Sequence, residues 1–145
     1  MKCAVFSCLG LGDGLLALVL SHNLQIHGHE VTTFHPFLHQ LQAWFPHLPL
    51  RPFPPELKQF NRYFIIYERT EWSQAVLKEC LTKYRDQTTV LNPIATPNHD
   101  YPFWEEGRFD GNLPFSENLQ LFCRDLLKLP NSTNLNGVVL SPASI

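Results

Sequence analysis

A chain of 145 residues is long enough for one domain with its own core, and 44% apolar against 17% charged residues is a globular balance, not a disordered one. Lys and Arg number 11 against 13 Asp and Glu, for a net charge of −2. With no long basic block in the sequence, this disfavours specific nucleic-acid binding, which needs clustered Lys and Arg.

Residues 2–8 read as a continuous apolar strand ending in a glycine-rich turn, the character of a strand buried on both faces. Residues 14–28 read as a helix, with Leu16, Leu20 and Leu24 on its buried face and Gly28 as its terminal glycine. Residues 30–35 are a second strand, rich in β-branched side chains. Strand, helix and strand imply a parallel pair with a right-handed crossover. Residues 37–45 follow as a short helix with Phe37, Leu38, Leu41 and Trp44 at helical spacing, and residues 48–53 as a short extended segment limited by prolines.

Residues 63–67 predict a strand. Residues 71–84 predict a helix with Trp72, Val76, Cys80 and Tyr84 on one stripe, and residues 88–94 another strand. Residues 95–114 are long, irregular and rich in aromatic side chains. The clearest helix is 116–129, with Leu119, Phe122, Cys123, Leu126 and Leu127 facing inward and Pro130 ending it. The expected fold class is therefore α/β: a Rossmann-like parallel sheet with helices on both faces, over residues 1–130. Residues 131–136 have linker composition, and 137–140 read as the first strand of a second domain that the sequence does not complete.

The N-terminal apolar run to Leu20 resembles a signal peptide only until Gly10, Gly12, Asp13 and Gly14 interrupt it. Cys3, Cys8, Cys80 and Cys123 form no C-x-x-C pair and no zinc spacing, and read as reduced core residues. These features predict a cytoplasmic protein, with contact at a membrane surface left open.

Chemistry concentrates in Leu9-Gly10-Leu11-Gly12-Asp13-Gly14-Leu15-Leu16, between the first strand and its helix. Ligands of open α/β folds bind at this edge. A dinucleotide fingerprint fails, because Leu15 stands where the third glycine belongs and His35-Pro36 where the ribose-binding acid is expected. No Walker motif and no G-x-S-x-G occurs. A carboxylate at this turn can instead take a proton from a hydroxyl as general base. The alternative is that Asp13 caps the helix.

The run from Ala4 to Gly14, continued by Leu15-Leu16, resembles the opening of the family 9 glycosyltransferases, the lipopolysaccharide heptosyltransferases. Val138-Val139-Leu140-Ser141-Pro142-Ala143-Ser144 resembles the strand and loop that open their second domain. The resemblance implies a GT-B fold whose N-terminal domain holds a lipopolysaccharide core acceptor. A C-terminal domain, missing here, would hold a nucleotide-activated heptose. Transfer would invert the anomeric centre without a metal or other cofactor. The base role carries over to Asp13 only, and Ser141 and Ser144 stand at the threshold of the donor phosphate loop. From their own placement, Gly12 and Gly14 would let backbone and acceptor approach closely, and His35, at a strand end, is a candidate to line the acceptor cleft. Working beside the inner membrane would follow from such an acceptor. A non-catalytic Rossmann-like binding module, or a decayed remnant of an enzyme, is the other reading.

Seven histidines raise a metal reading. The pairs His27/His29 and His35/His39 have no completing acid, so no metal site is assigned. His99-Asp100 is a further place where an acceptor could lie. The aromatic loop from Tyr101 to Phe109 could be a sugar-stacking platform or a lid, but packing of its rings on the domain is the favoured reading.

Overall fold

The computed structural model describes residues 1–52, 56–91 and 112–139. Five strands form one sheet: β1 (Lys2–Phe6), β2 (Glu30–Phe34), β3 (Leu50–Arg51), β4 (Arg62–Ile66) and β5 (Thr88–Leu91). Their order is β3-β2-β1-β4-β5, and every pairing is parallel. The expected α/β class is the observed one.

Alternation along the strands explains the layers. Cys3 and Val5 of β1 pack into one core with Val31, Phe64, Ile66 and Leu91. Ala4 and Phe6 pack into another with Phe34, Tyr63, Ile65 and Val90. Because both faces are apolar, both need a cover. Helix α1 (Leu11–Ile26) covers the first, through Ala17, Val19, Leu20 and Leu24. It is joined there by α3 (Phe115–Asp125), through Leu119, Phe122 and Cys123. Helix α2 (Glu71–Lys83) covers the second face with Val76, Leu77 and Cys80. A third cluster joins Leu18 of α1 to Leu38, Phe45, Leu48 and Leu50 at the β3 edge.

The boundaries correct several expectations. Helix α1 begins at Leu11, three residues early, and its N-cap is Gly10. Leu20 and Leu24 are buried as expected, but Leu16 is 40% exposed. A row of residues four apart drifts about 40° around the helix per step, which carries Leu16 past the rim of the buried face. The expected helix at 37–45 is a kinked 3₁₀ segment, Leu38–Trp44. There Phe37 and Trp44 are exposed, while Leu38 and Phe45 point inward. Helix α3 ends at Asp125, and Lys128 adopts a left-handed φ of 55° that turns the chain. Gly28 fulfils its expected role, at φ 90°, with the His29 N–H returning to the Leu24 carbonyl.

Residues 130–139 lie against α1. The Asn23 amide donates to the Thr133 carbonyl (2.8 Å) and accepts from the Thr133 N–H (2.9 Å). Asn136 Nδ2 donates to the Leu15 carbonyl at 3.1 Å, and the Val139 N–H to the Trp44 carbonyl at 2.8 Å. Residues 137–139, expected to start a strand, pair with no strand of the sheet.

Candidate functional site

The chain builds outward from β1 to β2 and β3, then returns past β1 to β4 and β5. Connections leaving β1 and β4 therefore diverge onto opposite faces, and a crevice opens between their carboxyl ends. Residues 7–10 and the N-terminus of α1 form one wall. Residues 67–70, leading into α2, form the other.

Side chains from three other parts of the chain hold the backbone of residues 7–10. Trp72 Nε1, on α2, donates to the Ser7 carbonyl at 3.3 Å. The Leu9 N–H donates to Glu68 Oε1, from the turn after β4. His35, just beyond β2, faces the Gly10 carbonyl with Nε2 at 3.4 Å. Its other nitrogen, Nδ1, accepts from the Phe37 N–H (2.9 Å) and the Leu38 N–H (3.1 Å). An imidazole accepting at Nδ1 carries its proton on Nε2, so His35 is the neutral Nε2–H form. Burial pushes its pKa below the ordinary histidine value, against the pull of the Gly10, Leu9 and Cys8 carbonyls and the Glu68 charge.

The three residues expected to meet an acceptor lie at different depths. His35 has no exposed surface, so it lies beneath the turn and not along an open cleft. Gly14 is buried above it. A Cβ there would stand 2.9 Å from His35 Cδ2 and Nε2 and 3.3 Å from Leu38 Cδ1, so close packing of helix on strand end demands a glycine. Gly12 faces outward, with nothing within 4 Å of the place its Cβ would take.

Asp13 is exposed in the first turn of α1. It does not cap the helix, because the N-cap is Gly10 and no side chain bonds there. The second carboxylate of the crevice is Glu68. Both act on the Cys8 thiol, whose pKa burial pushes up to about 12, with smaller contributions from Glu68 and then Asp13. Cys8 is thus a packed thiol whose thiolate form is disfavoured. Ser7 Oγ, in the same turn, is buried without a partner among the described residues.

Glu68 and Trp72 escape a reading of the sequence, since some 60 positions separate them from the turn they hold. Only the β1–β4 register, with Phe6 beside Ile65, brings them there. Ser141 and Ser144 lie outside the described residues, as do His99, Asp100 and the aromatic loop. Among the described residues no three His, Cys, Asp or Glu side chains converge as a metal site would require, and no helix is long and apolar enough to cross a membrane.

Fold and site together define a doubly wound α/β domain that presents a carboxylate on a braced glycine turn at its switch point. No protein-family model, curated protein or solved structure matches the chain.

Proposed function

We propose that the chain is the acceptor-binding part of an inverting, GT-B type glycosyltransferase, of the kind that moves a heptose or related sugar from a nucleotide-sugar to a lipopolysaccharide core. The observation that carries this reading is Asp13. It is a solvent-facing carboxylate, uncommitted to capping, on a turn braced from three sides at the switch point. Such a carboxylate suits removal of a proton from an acceptor hydroxyl as that oxygen attacks the anomeric carbon. The sequence resemblance of the Gly-Asp turn and the parallel fold support the same assignment.

Several features fit the proposal. Gly12, which has no side chain and nothing within 4 Å of the place a Cβ would take, leaves the carboxylate open to a bulky acceptor. Leu11 and Phe37, each about half exposed, flank the turn with apolar surface suited to the lipid end of such an acceptor. The nucleotide-sugar would be bound by a second domain facing this edge. Fixing both partners in one cleft is worth on the order of 7–11 kcal/mol, so the reading assigns transfer to the pair of domains and not to this one alone.

The test pairs this chain with a donor-binding domain and measures transfer of heptose from a nucleotide-heptose to a core oligosaccharide. Asp13→Asn is expected to lower kcat by about 100- to 10,000-fold with donor affinity unchanged. Near-normal turnover in that variant would remove the base role from Asp13. Absence of transfer by the parent pair would instead favour a non-catalytic binding module.

A further inference from the structure

A base does useful work only if its oxygen is held where the proton leaves, and among the described residues Asp13 has no direct tether. Its position is inherited from the turn before it. Three side chains hold that turn, and they are not equivalent. Trp72 and His35 bond to carbonyl groups, of Ser7 and Gly10. Glu68 alone holds an N–H group, that of Leu9, and it does so with an ionisable oxygen. Leu9 lies between Cys8 and the N-cap Gly10, so its peptide sets the direction in which α1 starts.

Glu68 is itself fixed: its own N–H donates to Ser73 Oγ at 3.2 Å, and the Ser73 N–H donates to Thr70 Oγ1 at 3.2 Å. The N-cap of α2 and the brace on α1 are thus one hydrogen-bonded unit. Among the described residues Glu68 makes no salt bridge, so its charge serves no ion pair there.

We propose that Glu68 is the positioning residue of this site: by accepting the Leu9 N–H across the β1–β4 crevice it sets the orientation of the Gly-Asp turn and hence of Asp13. This rests on the transferase reading for its catalytic consequence but not for its structural one. The bond requires an acceptor oxygen at the end of a two-methylene side chain. Glutamine supplies it, aspartate is one methylene short, and alanine has none.

The experiment compares Glu68→Gln, Glu68→Asp and Glu68→Ala with the parent chain. Exchange of the Leu9 amide should be close to the parent rate in the glutamine variant and faster by 10-fold or more in the aspartate and alanine variants. Paired with a donor-binding domain, the aspartate and alanine variants should lose kcat by roughly 100-fold, as misplacement of a reacting group by about 1 Å does, with acceptor KM nearly unchanged. The glutamine variant should stay within a few-fold of the parent.

Equal loss in the glutamine and alanine variants would overturn the proposal in favour of a role for the charge. Parent-like Leu9 exchange in both the aspartate and alanine variants would overturn it outright. If alanine prevents folding, the aspartate and glutamine pair still decides. Absence of transfer by the parent pair would strike the transferase reading and full activity of Asp13→Asn the base role of Asp13, whereas a collapse with Asp13→Asn beside a parent-like Glu68→Asp would strike only the role of Glu68.

Discussion

Replacing Gly14 by alanine adds a methyl group where the structure has no room. The new carbon would lie 2.9 Å from two atoms of the His35 ring and 3.3 Å from Leu38 Cδ1. Relief requires a shift of about half an ångström, and the ring is held by Phe37, Leu38 and Gly10 backbone groups. Alanine inside a helix gains about 1 kcal/mol over glycine. Overpacking costs about 1–3 kcal/mol, and each of the weakened hydrogen bonds a further 0.5–1.5 kcal/mol or so.

The net expectation is a loss of about 1–3 kcal/mol, or a fall in Tm of roughly 3–10 °C for a chain of this size. Urea unfolding should show a lower midpoint with an unchanged slope. Gly12→Ala is the internal control. Its methyl group meets nothing within 4 Å, so that variant should match the parent or gain up to about 1 kcal/mol. If Gly14→Ala proved as stable as Gly12→Ala, the tight seat of α1 on His35 would be refuted.

Three other expectations follow from buried groups. Cys8, Cys80 and Cys123 have thiol pKa values pushed up to about 12, chiefly by burial, and Cys3 is raised in the same way. A thiol reagent at neutral pH should leave all four unmodified in the native protein and count four after denaturation. His35 is held below its ordinary pKa, so the unfolded chain takes up a proton that the folded one refuses. Stability should be full above about pH 6.5 and decline as the pH falls from there toward the folded value, and denaturation midpoints between pH 7.5 and 5 check this. Replacing His35 with glutamine should reduce that slope, the remainder coming from His22 and His29, which burial also holds below the ordinary histidine value. Asn23→Ala removes a buried side chain that bonds both backbone groups of Thr133. The variant should lose about 2–4 kcal/mol and become open to proteolysis near residue 133.

Much of the architecture was legible from the order of residues. The continuous apolar stretch of β1 announces a strand covered on both faces, residues 63–67 announce a further strand, and helical spacing in 71–84 and 116–129 announces the covers. These are local signals: side-chain period and β-branching act within one element. The Gly-Asp turn was legible for the same reason, as a glycine cluster between a strand and a helix.

Its working details were not. Sequence alone left open whether Asp13 caps α1, and only the backbone at Gly10 decides that it does not. His35 read as a cleft residue because a polar side chain at a strand end usually faces solvent. The fold buries it, since Gly14 lets α1 descend onto it and two N–H groups and a carbonyl satisfy its nitrogens. Glu68 carried no local mark. It reaches Leu9 because β4 returns to the far side of β1, a pairing set by long-range burial of both sheet faces and not by any property of the residues near position 68. Likewise, residues 131–136 have the polarity of a linker, yet Asn23 and Leu15 offer them backbone partners along α1 that only the assembled helix layer presents.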